Sequence, residues 1–357
     1  MLITKSRMLW VTNMPAPYRI ELWDQISKEF DLLVLFSLPS NNWRNWKVPK
    51  SVSWKHIHYA NHYMRIKSYE FPLKLRGLTK IVKSQNIVIV GGWENLFYLN
   101  IILLCKIHRI PFFIFYGDRK MYVNPRKIRT RLKRFIFNLS TGVISLSLRT
   151  SRNLHAIKIP NDRIITLYNP YDSRFGNEVK IKEPLSGFHN FIFVGQLISR
   201  KAPIELLYSF LEIADEKDTL TFLGSGTLKH QLEKVINDLG ASKQVYLHEQ
   251  IEPNEVARFL VNYQTLILPS REELWGQVVN EAYSLGLNIV VSENCGISEH
   301  IIKCEGVYIC DSKLENLTSC LSSAKNHALE LNVLHRKVDF TSTSFVKLLV
   351  KWINTKV

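Results

Sequence analysis

Short apolar runs alternate with segments of helical spacing along the first half of the chain. The runs that predict buried strands are residues 8–12, 32–36, 86–90, 110–116, 142–146 and 163–167. Between them, residues 19–30 and 97–109 place apolar side chains every three or four positions, which is typical of helices that bury one face. Strands that alternate with single helices form parallel sheets, because a parallel neighbour needs a crossover connection. The pattern therefore predicts an α/β unit built on a parallel sheet.

The same alternation restarts after a polar interruption that is rich in Gly and Pro and is typical of a linker. A second set of strands is predicted at residues 191–194, 219–223, 245–247, 265–268, 288–291 and 306–309. We predict an N-terminal domain at residues 1–175, a linker at 176–190 and a C-terminal domain at 191–340. A final amphipathic helix within residues 341–357 is expected to pack back on the N-terminal domain. The predicted fold class is α/β with two domains.

One stretch breaks the pattern. Residues 38–77 are aromatic and basic without a clear period. We interpret them as an irregular cap on the N-terminal domain, and a substrate-facing loop is the alternative.

Length and composition support two folded domains and an anionic partner. The chain has 357 residues and 46% hydrophobic residues, which is enough for two cores. A formal net charge of +16 suits nucleic acid, a phosphorylated substrate or an acidic membrane surface. The five cysteines form no C-x-x-C pair and are expected to be reduced. No apolar run reaches the ~18 residues of a membrane span, and the start of the sequence lacks a signal-peptide pattern, so we expect a cytoplasmic protein.

A basic segment runs from Arg119 to Arg134. It contains eight cations and no acid, and Lys127, Arg131 and Arg134 lie at helical spacing beside the apolar Phe135. A basic helix with neighbouring apolar side chains suits the surface of an anionic membrane, whereas the alternative is a solvated helix face. We expect peripheral contact at the inner face of the plasma membrane.

The stretch from Leu266 to Gly286 carries the candidate chemistry. Leu266–Leu268 is apolar, Pro269 ends the run, and Val278–Tyr283 has helical spacing. A helix that begins at the end of a strand presents unpaired N–H groups and a positive dipole to an anion.

Two carboxylates lie eight positions apart in this stretch, Glu273 before the helix and Glu281 on it. Beside an anion site, carboxylates are favourable when they accept hydrogen bonds from hydroxyl groups such as those of a sugar or a ribose. The alternative interpretation is that both are helix-start acids on a solvated surface.

The motif P-S-x-x-E-x-x-G-x-x-x-x-E-A-x-x-x-G is present here as Pro269, Ser270, Glu273, Gly276, Glu281, Ala282 and Gly286. This stretch resembles the E-x7-E signature of glycosyltransferase family 4. The resemblance implies a GT-B fold, with two facing Rossmann-like domains and an interdomain cleft. It also implies sugar transfer with retention from a nucleotide sugar that is bound to the C-terminal domain.

The sequence GQLISRKA at residues 195–202 resembles the G-R-L-x-x-x-K-G loop of the same family. By this resemblance Lys201 and Arg200 hold the diphosphate, Glu281 binds the ribose, and Glu273 binds the transferred sugar or its phosphate. Backbone groups near the helix start add donors. The remaining residues expected at the donor are Gly195, Gln196, Gly224, Ile251, Gly276, Gln277 and Val278.

The chain departs from the family pattern at several positions. Gln196 replaces the common Arg, Ala202 the common Gly, and Glu249 a frequent Gly near the base. Where many members place a His after the fifth N-terminal strand, this chain has Gly117 followed by Asp118.

Asp118 is therefore the candidate that positions or deprotonates the acceptor hydroxyl. Pro15, Gly92 and Trp93 join it on the acceptor side. Since the chain has no D-x-D metal clamp, we expect no metal and no other cofactor, and the predicted catalytic set is Glu273, Asp118, Lys201 and Arg200.

The leading hypothesis is a retaining, metal-independent hexosyltransferase that acts on a polysaccharide or lipid-linked saccharide in cell-envelope or exopolysaccharide synthesis. A nucleotide-sugar epimerase or a phosphorylase on the same fold is the alternative. A nucleic-acid binder is suggested by charge alone, so nucleic acid is not expected as a partner. A dinucleotide oxidoreductase is disfavoured because Gly224-Ser225-Gly226 is followed by Lys229 in place of the third glycine.

Overall fold

The computed structural model describes residues 5–37, 47–59, 77–118, 124–170, 188–327 and 339–357, and the backbone of residues 63–66 and 69–72. Arg119 and Lys120 of the basic segment, most of the predicted linker and much of the stretch 38–77 lie outside these residues. The chain divides into two compact units. Unit 1 is Met1–Asp172 with Phe340–Val357, and unit 2 is Ser173–Asp339.

Unit 1 contains nine strands among the described residues. They are β1 (Arg7–Thr12), β2 (Asp31–Phe36), β3 (Lys55–His58), β4 (Tyr63–Ile66), β5 (Tyr69–Pro72), β6 (Ile87–Val90), β7 (Phe112–Tyr116), β8 (Gly142–Ser145) and β9 (Ile164–Thr166). Seven of them form a parallel sheet in the order β3-β2-β1-β6-β7-β8-β9, and β4 pairs with β5 in an antiparallel hairpin. The parallel sheet follows from the alternation of buried strands with helices.

The helices of unit 1 cover both faces of this sheet. They are α1 (Ile20–Glu29), α2 (Leu78–Lys83), α3 (Leu96–Ile107), α4 (Ile128–Leu139), α5 (Leu148–Ala156) and α12 (Ser342–Ile353), the last of which comes at the end of the chain. One hydrophobic cluster joins α2 to α5 with the strands, and Ile101, Ile136 and Leu154 represent α3, α4 and α5 in it. These helices therefore form one layer on one face.

The opposite face of the sheet carries α12. Side chains alternate between the two faces of a strand, so Phe113 and Phe115 of β7 point away from the cluster that holds Phe112 and Ile114. The Phe113 ring lies 5.3 Å from Trp352, and the Phe115 ring lies 6.3 Å from Phe345, between centroids. The last helix of the chain thus completes the core of unit 1.

Unit 2 repeats the parallel arrangement with six strands. They are β10 (Asn190–Val194), β11 (Thr219–Leu223), β12 (Val245–His248), β13 (Thr265–Leu268), β14 (Asn288–Ser292) and β15 (Val307–Cys310). The described helices are α6 (Pro203–Ile213), α7 (Lys229–Asp238), α8 (Val256–Leu260), α9 (Gln277–Ser284), α10 (Ser298–Ile301) and α11 (Leu317–Asn326). The sheet order is β12-β11-β10-β13-β14-β15, so the direction of winding reverses between β10 and β13. In open α/β sheets, ligands bind outside the carboxyl ends of the strands at such a reversal.

The irregular interpretation of residues 38–77 was wrong for Lys55–His58. These residues form β3, which pairs in parallel with β2 at the sheet edge. All four side chains are exposed, so the segment shows none of the apolar signal that marks a buried strand. The cap could not be distinguished from an edge strand by pattern alone.

Candidate active site

The site is built where the loops after β10 and β13 meet. β13 ends at Leu268, and α9 begins after Gly276, whose φ of 97° is a left-handed conformation that favours glycine. A Cβ at this position would also lie 3.0 Å from the Leu268 side chain. No side chain caps α9, and its first turn carries no acid. The positive end of the helix is therefore suited to an anion.

The loop after β10 supplies two cations to the same place. Arg200 and Lys201 lie in a short 3-10 turn, Ser199–Lys201, which is closed by Ala202. The backbone N–H of Arg271 donates to the Arg200 carbonyl oxygen at 2.8 Å, which joins this turn to the loop after β13. The two cations are thus held beside the loop that precedes α9.

Both cations contact the carboxylate of Glu273. Arg200 Nη1 lies 3.1 Å from Glu273 Oε2 and also donates to the Glu272 carbonyl oxygen at 2.7 Å. Lys201 Nζ forms an ion pair with the same Oε2 atom. One carboxylate therefore faces two cations, and the group keeps an excess of one positive charge.

The electrostatics keep Glu273 ionised. Burial alone would raise the pKa of this carboxyl, but the charges and hydrogen bonds of Lys201 and Arg200 outweigh burial and hold the pKa below its ordinary value. A carboxylate in this state accepts hydrogen bonds from hydroxyl groups and cannot donate a proton near neutral pH. Glu273 is therefore suited to orient a sugar or to order the cations.

Gly224 allows the loops after β10 and β11 to approach closely. A Cβ on Gly224, after β11, would lie 2.0 Å from the Gly195 carbonyl oxygen. A Cβ on Gly195, after β10, would lie 3.9 Å from Lys201 Nζ. Any larger residue at position 224 would displace the loop that carries Arg200 and Lys201.

The loop after β14 supports Glu273 from behind, which the sequence did not reveal. Glu273 and Cys295 form an isolated parallel bridge, and the Glu273 N–H donates to the Asn294 carbonyl oxygen at 3.3 Å. The buried Trp275 indole donates to Asn280 Oδ1 at 3.1 Å and so fixes the loop to α9. The sequence NCG after a buried strand was the available signal, because polar residues and glycine at strand ends mark the carboxyl edge.

The other predicted donor residues lie on the same edge of this sheet. Gln277 and Val278 are the first residues of α9 and are partly exposed, and Glu281, one turn further along, is also partly exposed. Gln196 is exposed in the loop after β10, and Ile251 is partly exposed after β12. The structure thus joins Arg200, Lys201 and Glu273 by direct contacts and places the remaining residues on α9 and on neighbouring loops.

The predicted acceptor residues lie on the carboxyl edge of the unit 1 sheet. Pro15 follows β1, Gly92 and Trp93 follow β6, and Asp118 follows β7. All four are buried. Trp93 N–H donates to Glu94 Oε2 at 3.0 Å. These residues lie at the ends of three adjacent strands.

Asp118 forms a buried ion pair with a residue of the basic segment. Lys133 Nζ lies 3.2 Å from Asp118 Oδ2 and donates to the Tyr116 hydroxyl at 2.9 Å. Burial lowers the pKa of Lys133 although Asp118 opposes this shift. Burial, with Asp118 nearby, raises the pKa of Tyr116.

Within the described part of the basic segment, Lys133 faces inward. This side chain lies on the inner face of α4, because the position that follows Leu132 on the helix turns toward β7. The Asp118 carboxylate neutralises its charge, which is therefore not available to a surface partner.

Within the described ranges, no group of three or more His, Cys, Asp or Glu side chains is arranged to hold a metal ion. No helix among these residues is long and apolar enough to cross a membrane.

Comparison with known proteins identifies the fold. Residues 177–325 match the family described as Glycosyl transferases group 1. No curated protein matches the chain.

Solved structures match almost the whole chain at low sequence identity. HepE of Anabaena, in complex with UDP and glucose, is similar with a TM-score of 0.68 and 13% identity, over 98% of this chain and 99% of that chain. The lipopolysaccharide outer core galactosyltransferase WaaB, without ligand, gives a TM-score of 0.68 and 16% identity, over 98% and 100% of the two chains. Sucrose-phosphate synthase from Thermosynechococcus elongatus gives 0.69 and 13%, also over 98% and 100%. The predicted fold class is confirmed: the chain has the α/β fold of GT-B glycosyltransferases.

Proposed function

We propose that this chain is a glycosyltransferase of family 4 that transfers a hexose from a nucleotide sugar with retention and without a metal ion. The contact of Arg200 and Lys201 with Glu273, at the reversal of strand order between β10 and β13, carries this proposal. The match of residues 177–325 to Glycosyl transferases group 1 supports the same conclusion. Two similar structures, those of HepE, contain UDP with glucose or UDP-glucose, which supports a nucleotide-sugar donor.

The proposed chemistry uses fixed cations in place of a metal. When the bond between the anomeric carbon and the phosphate oxygen breaks, negative charge develops on the leaving diphosphate. Lys201, Arg200 and the start of α9 would stabilise this charge, which is usually the largest contribution to catalysis. Glu281 would bind the ribose, and Glu273 would orient the sugar. The leaving phosphate would take the acceptor proton.

The acceptor side of the proposal rests on unit 1. We propose that Pro15, Gly92, Trp93 and Asp118 contact a polysaccharide or lipid-linked saccharide acceptor. Because the Asp118 carboxylate is paired with Lys133, we assign it to positioning the acceptor hydroxyl and not to removing its proton. A protein that works at the inner face of the plasma membrane would meet such acceptors, and the cations between residues 119 and 134 other than Lys133 support peripheral contact with anionic lipid.

The test combines donor binding with turnover. Thermal-shift measurements with UDP-, GDP- and ADP-sugars identify the donor, and NMR of the sugar product then reports the anomeric configuration. Lys201→Ala and Glu281→Ala should each abolish donor hydrolysis and transfer while the circular dichroism spectrum stays unchanged. Turnover near that of the unmodified chain in both variants would refute the proposal. Epimerised donor without acceptor, or phosphate-dependent release of sugar 1-phosphate, would establish the alternatives.

Retention and metal independence have separate readouts. Transfer should persist in the presence of EDTA, and the product should keep the anomeric configuration of the donor. An inverted product, or activity that returns only when a divalent cation is added, would restrict the proposal to sugar transfer alone.

A further inference from the structure

The outer face of α4 is apolar where a surface helix is normally polar. Ile128, Leu132 and Phe135 are 83%, 49% and 63% exposed. Their spacing of four and then three positions places them on one side of the helix. The opposite side, which includes Lys133 and Phe137, is buried in unit 1. The exposed stripe is therefore additional to the side that α4 uses for folding.

Cations from two elements line a groove beside this stripe. Arg131 and Arg134 of α4 and Lys158, which follows α5, line a groove of about 460 Å³ with Phe135 at its edge. Lys158 is held in place because its N–H donates to the His155 carbonyl oxygen at 2.8 Å. The backbone there has a φ of 62°, so the chain turns sharply at the end of α5.

The charge of the groove is uncompensated. Across the part of the chain that the structure describes, Arg131, Arg134 and Lys158 form no ion pair with a carboxylate, in contrast to Lys133 on the inner side of the same helix. Three cations around one concave space attract a group that carries more than one negative charge or several acceptor oxygens. A phosphate group has this chemistry.

The geometry points to a binding site for the phosphate headgroup of an anionic glycerophospholipid in a bilayer. The headgroup occupies the groove between Arg131, Arg134 and Lys158, and the apolar stripe enters the boundary between headgroups and acyl chains. The site rests on the membrane contact proposed above and gives it a defined pocket, but it does not depend on sugar transfer.

The apolar stripe favours lipid over nucleic acid. Nucleic-acid phosphates would engage the cations but would leave the aliphatic Ile128 and Leu132 in water, whereas a bilayer removes both from water. The neighbouring helix α3 supports the same occupant, since Leu103 and Ile107 are exposed and α3 lies in the same layer as α4. Two helices of one layer thus expose apolar side chains.

Co-sedimentation of the full chain with vesicles tests the site. We expect binding to vesicles of phosphatidylcholine with phosphatidylglycerol and no binding to phosphatidylcholine alone. Arg131→Gln with Arg134→Gln should lower the partition coefficient roughly 25-fold, at about fivefold for each cation near an anionic surface. Phe135→Ala should lower it roughly tenfold, because an aromatic side chain no longer enters the boundary.

Matched control variants distinguish binding in the groove from attraction of the vesicles to the overall positive charge of the chain. Lys347→Gln with Lys351→Gln removes two exposed cations of α12 and should leave binding unchanged. Lys158→Asn removes a cation of the groove, and asparagine tolerates the left-handed backbone at this position. This variant should weaken binding more than Lys127→Gln, which removes a cation of the basic segment that does not line the groove. Equal losses in the groove and control variants would overturn the pocket.

Two further outcomes are decisive. Binding to single-stranded DNA or RNA that falls in the same variants, together with no binding to anionic vesicles, would replace lipid by nucleic acid as the occupant. Donor thermal shifts measured on the same variants should not change, because the groove lies in unit 1 and the donor residues lie in unit 2. Failure of vesicle binding with intact donor binding therefore refutes the headgroup site and leaves the proposed sugar transfer standing.

Discussion

The carboxyl edges of the two sheets carry similar charged groups but differ in how these groups are paired and buried. In unit 1 one cation, Lys133, meets one carboxylate, Asp118, and both are buried with the Tyr116 hydroxyl beside them. In unit 2 two cations, Arg200 and Lys201, meet the single carboxylate of Glu273, and Arg200 is partly exposed. A strand-end position alone does not make an anion site. The edge of unit 2 keeps an unmatched positive charge with access to solvent, which suits an anion.

The difference has a structural cause. Lys133 reaches its partner from the inner face of α4, a regular helix that packs on β7, so its position serves the core. Arg200 and Lys201 lie in a short turn between β10 and α6, where the backbone is free to present side chains at the sheet edge. We therefore expect the Lys133–Asp118 pair to contribute mainly to stability, and the unpaired charge of unit 2 to contribute mainly to ligand binding.

The largest expected effect is on the paired edge. Lys133→Met should lower the free energy of unfolding by about 3–5 kcal/mol, because it leaves the buried Asp118 carboxylate without its cation. Urea unfolding measures this loss. The double variant Lys133→Met with Asp118→Asn should recover much of it. If the single variant is as stable as the unmodified chain, unit 1 does not depend on the pair and the comparison fails.

We expect buried His189, at the amino edge of the unit 2 sheet, to contribute to stability, as the buried Lys133–Asp118 pair does in unit 1. His189 is buried, its Nε2 lies 2.7 Å from Thr265 Oγ1, and burial lowers its pKa to about 4. Since the folded pKa is below the unfolded value of about 6.5, the unfolded chain binds a proton first as the pH falls. The contribution of neutral His189 to the free energy of unfolding is fully present above about pH 6.5. We expect this free energy to fall by about 3 kcal/mol as the pH is lowered to about 4.

His189→Gln is the variant that checks this pH dependence. Its urea midpoint should change less between pH 7 and pH 4 than that of the unmodified chain. Parallel curves for the two proteins would show that His189 is not the group that titrates.

The unpaired edge should gain affinity for an anion when its carboxylate is neutralised. Glu273→Gln raises the excess positive charge beside Arg200 and Lys201, so binding of UDP or GDP alone should be unchanged or up to about tenfold tighter while transfer is lost. Isothermal titration calorimetry measures the affinity. Weaker binding in this variant would mean that the carboxylate contributes to holding the diphosphate site together.

The effect of Glu273→Gln on stability should depend on pH. Because the folded pKa of Glu273 lies below its ordinary value, the stability that the carboxylate contributes is present above the unfolded pKa and is lost as the pH falls through the folded pKa. The difference in stability between the unmodified chain and Glu273→Gln should therefore shrink in acid.

The smallest expected effect concerns the turn that carries the cations. Ala202 has a φ of 53°, a left-handed conformation that costs a residue with a Cβ more than it costs glycine. Ala202→Gly should raise the free energy of unfolding by about 1 kcal/mol. Thermal unfolding checks this, and Ala214→Gly, at a position of negative φ, is the control that should not stabilise.

Buried elements were predictable from the sequence, and exposed ones were not. The helix predicted at residues 19–30 corresponds to α1 (Ile20–Glu29), because apolar side chains recur every three or four positions and bury one face. The exposed strand β3 carried no such pattern. The spacing of the basic segment could not show that Lys133 turns inward, since that depends on the place of α4 against β7.

The site was predictable as a set of loops and not as a set of contacts. The motif around Glu273 and the loop of Lys201 were located by their resemblance to glycosyltransferase family 4. That both cations share one carboxylate oxygen, and that Cys295 and Asn294 support it from the loop after β14, depends on strand order. Strand order brings together segments that are far apart in sequence, which periodicity cannot report.

The return of α12 to unit 1 has a consequence for how the chain is made. Phe345 and Trp352 cover the Phe113 and Phe115 side of the sheet, and they are synthesised after all of unit 2. On the ribosome, the first unit must therefore wait with an apolar surface uncovered while the second emerges and folds. Such a surface is a natural place for a chaperone to act before synthesis ends.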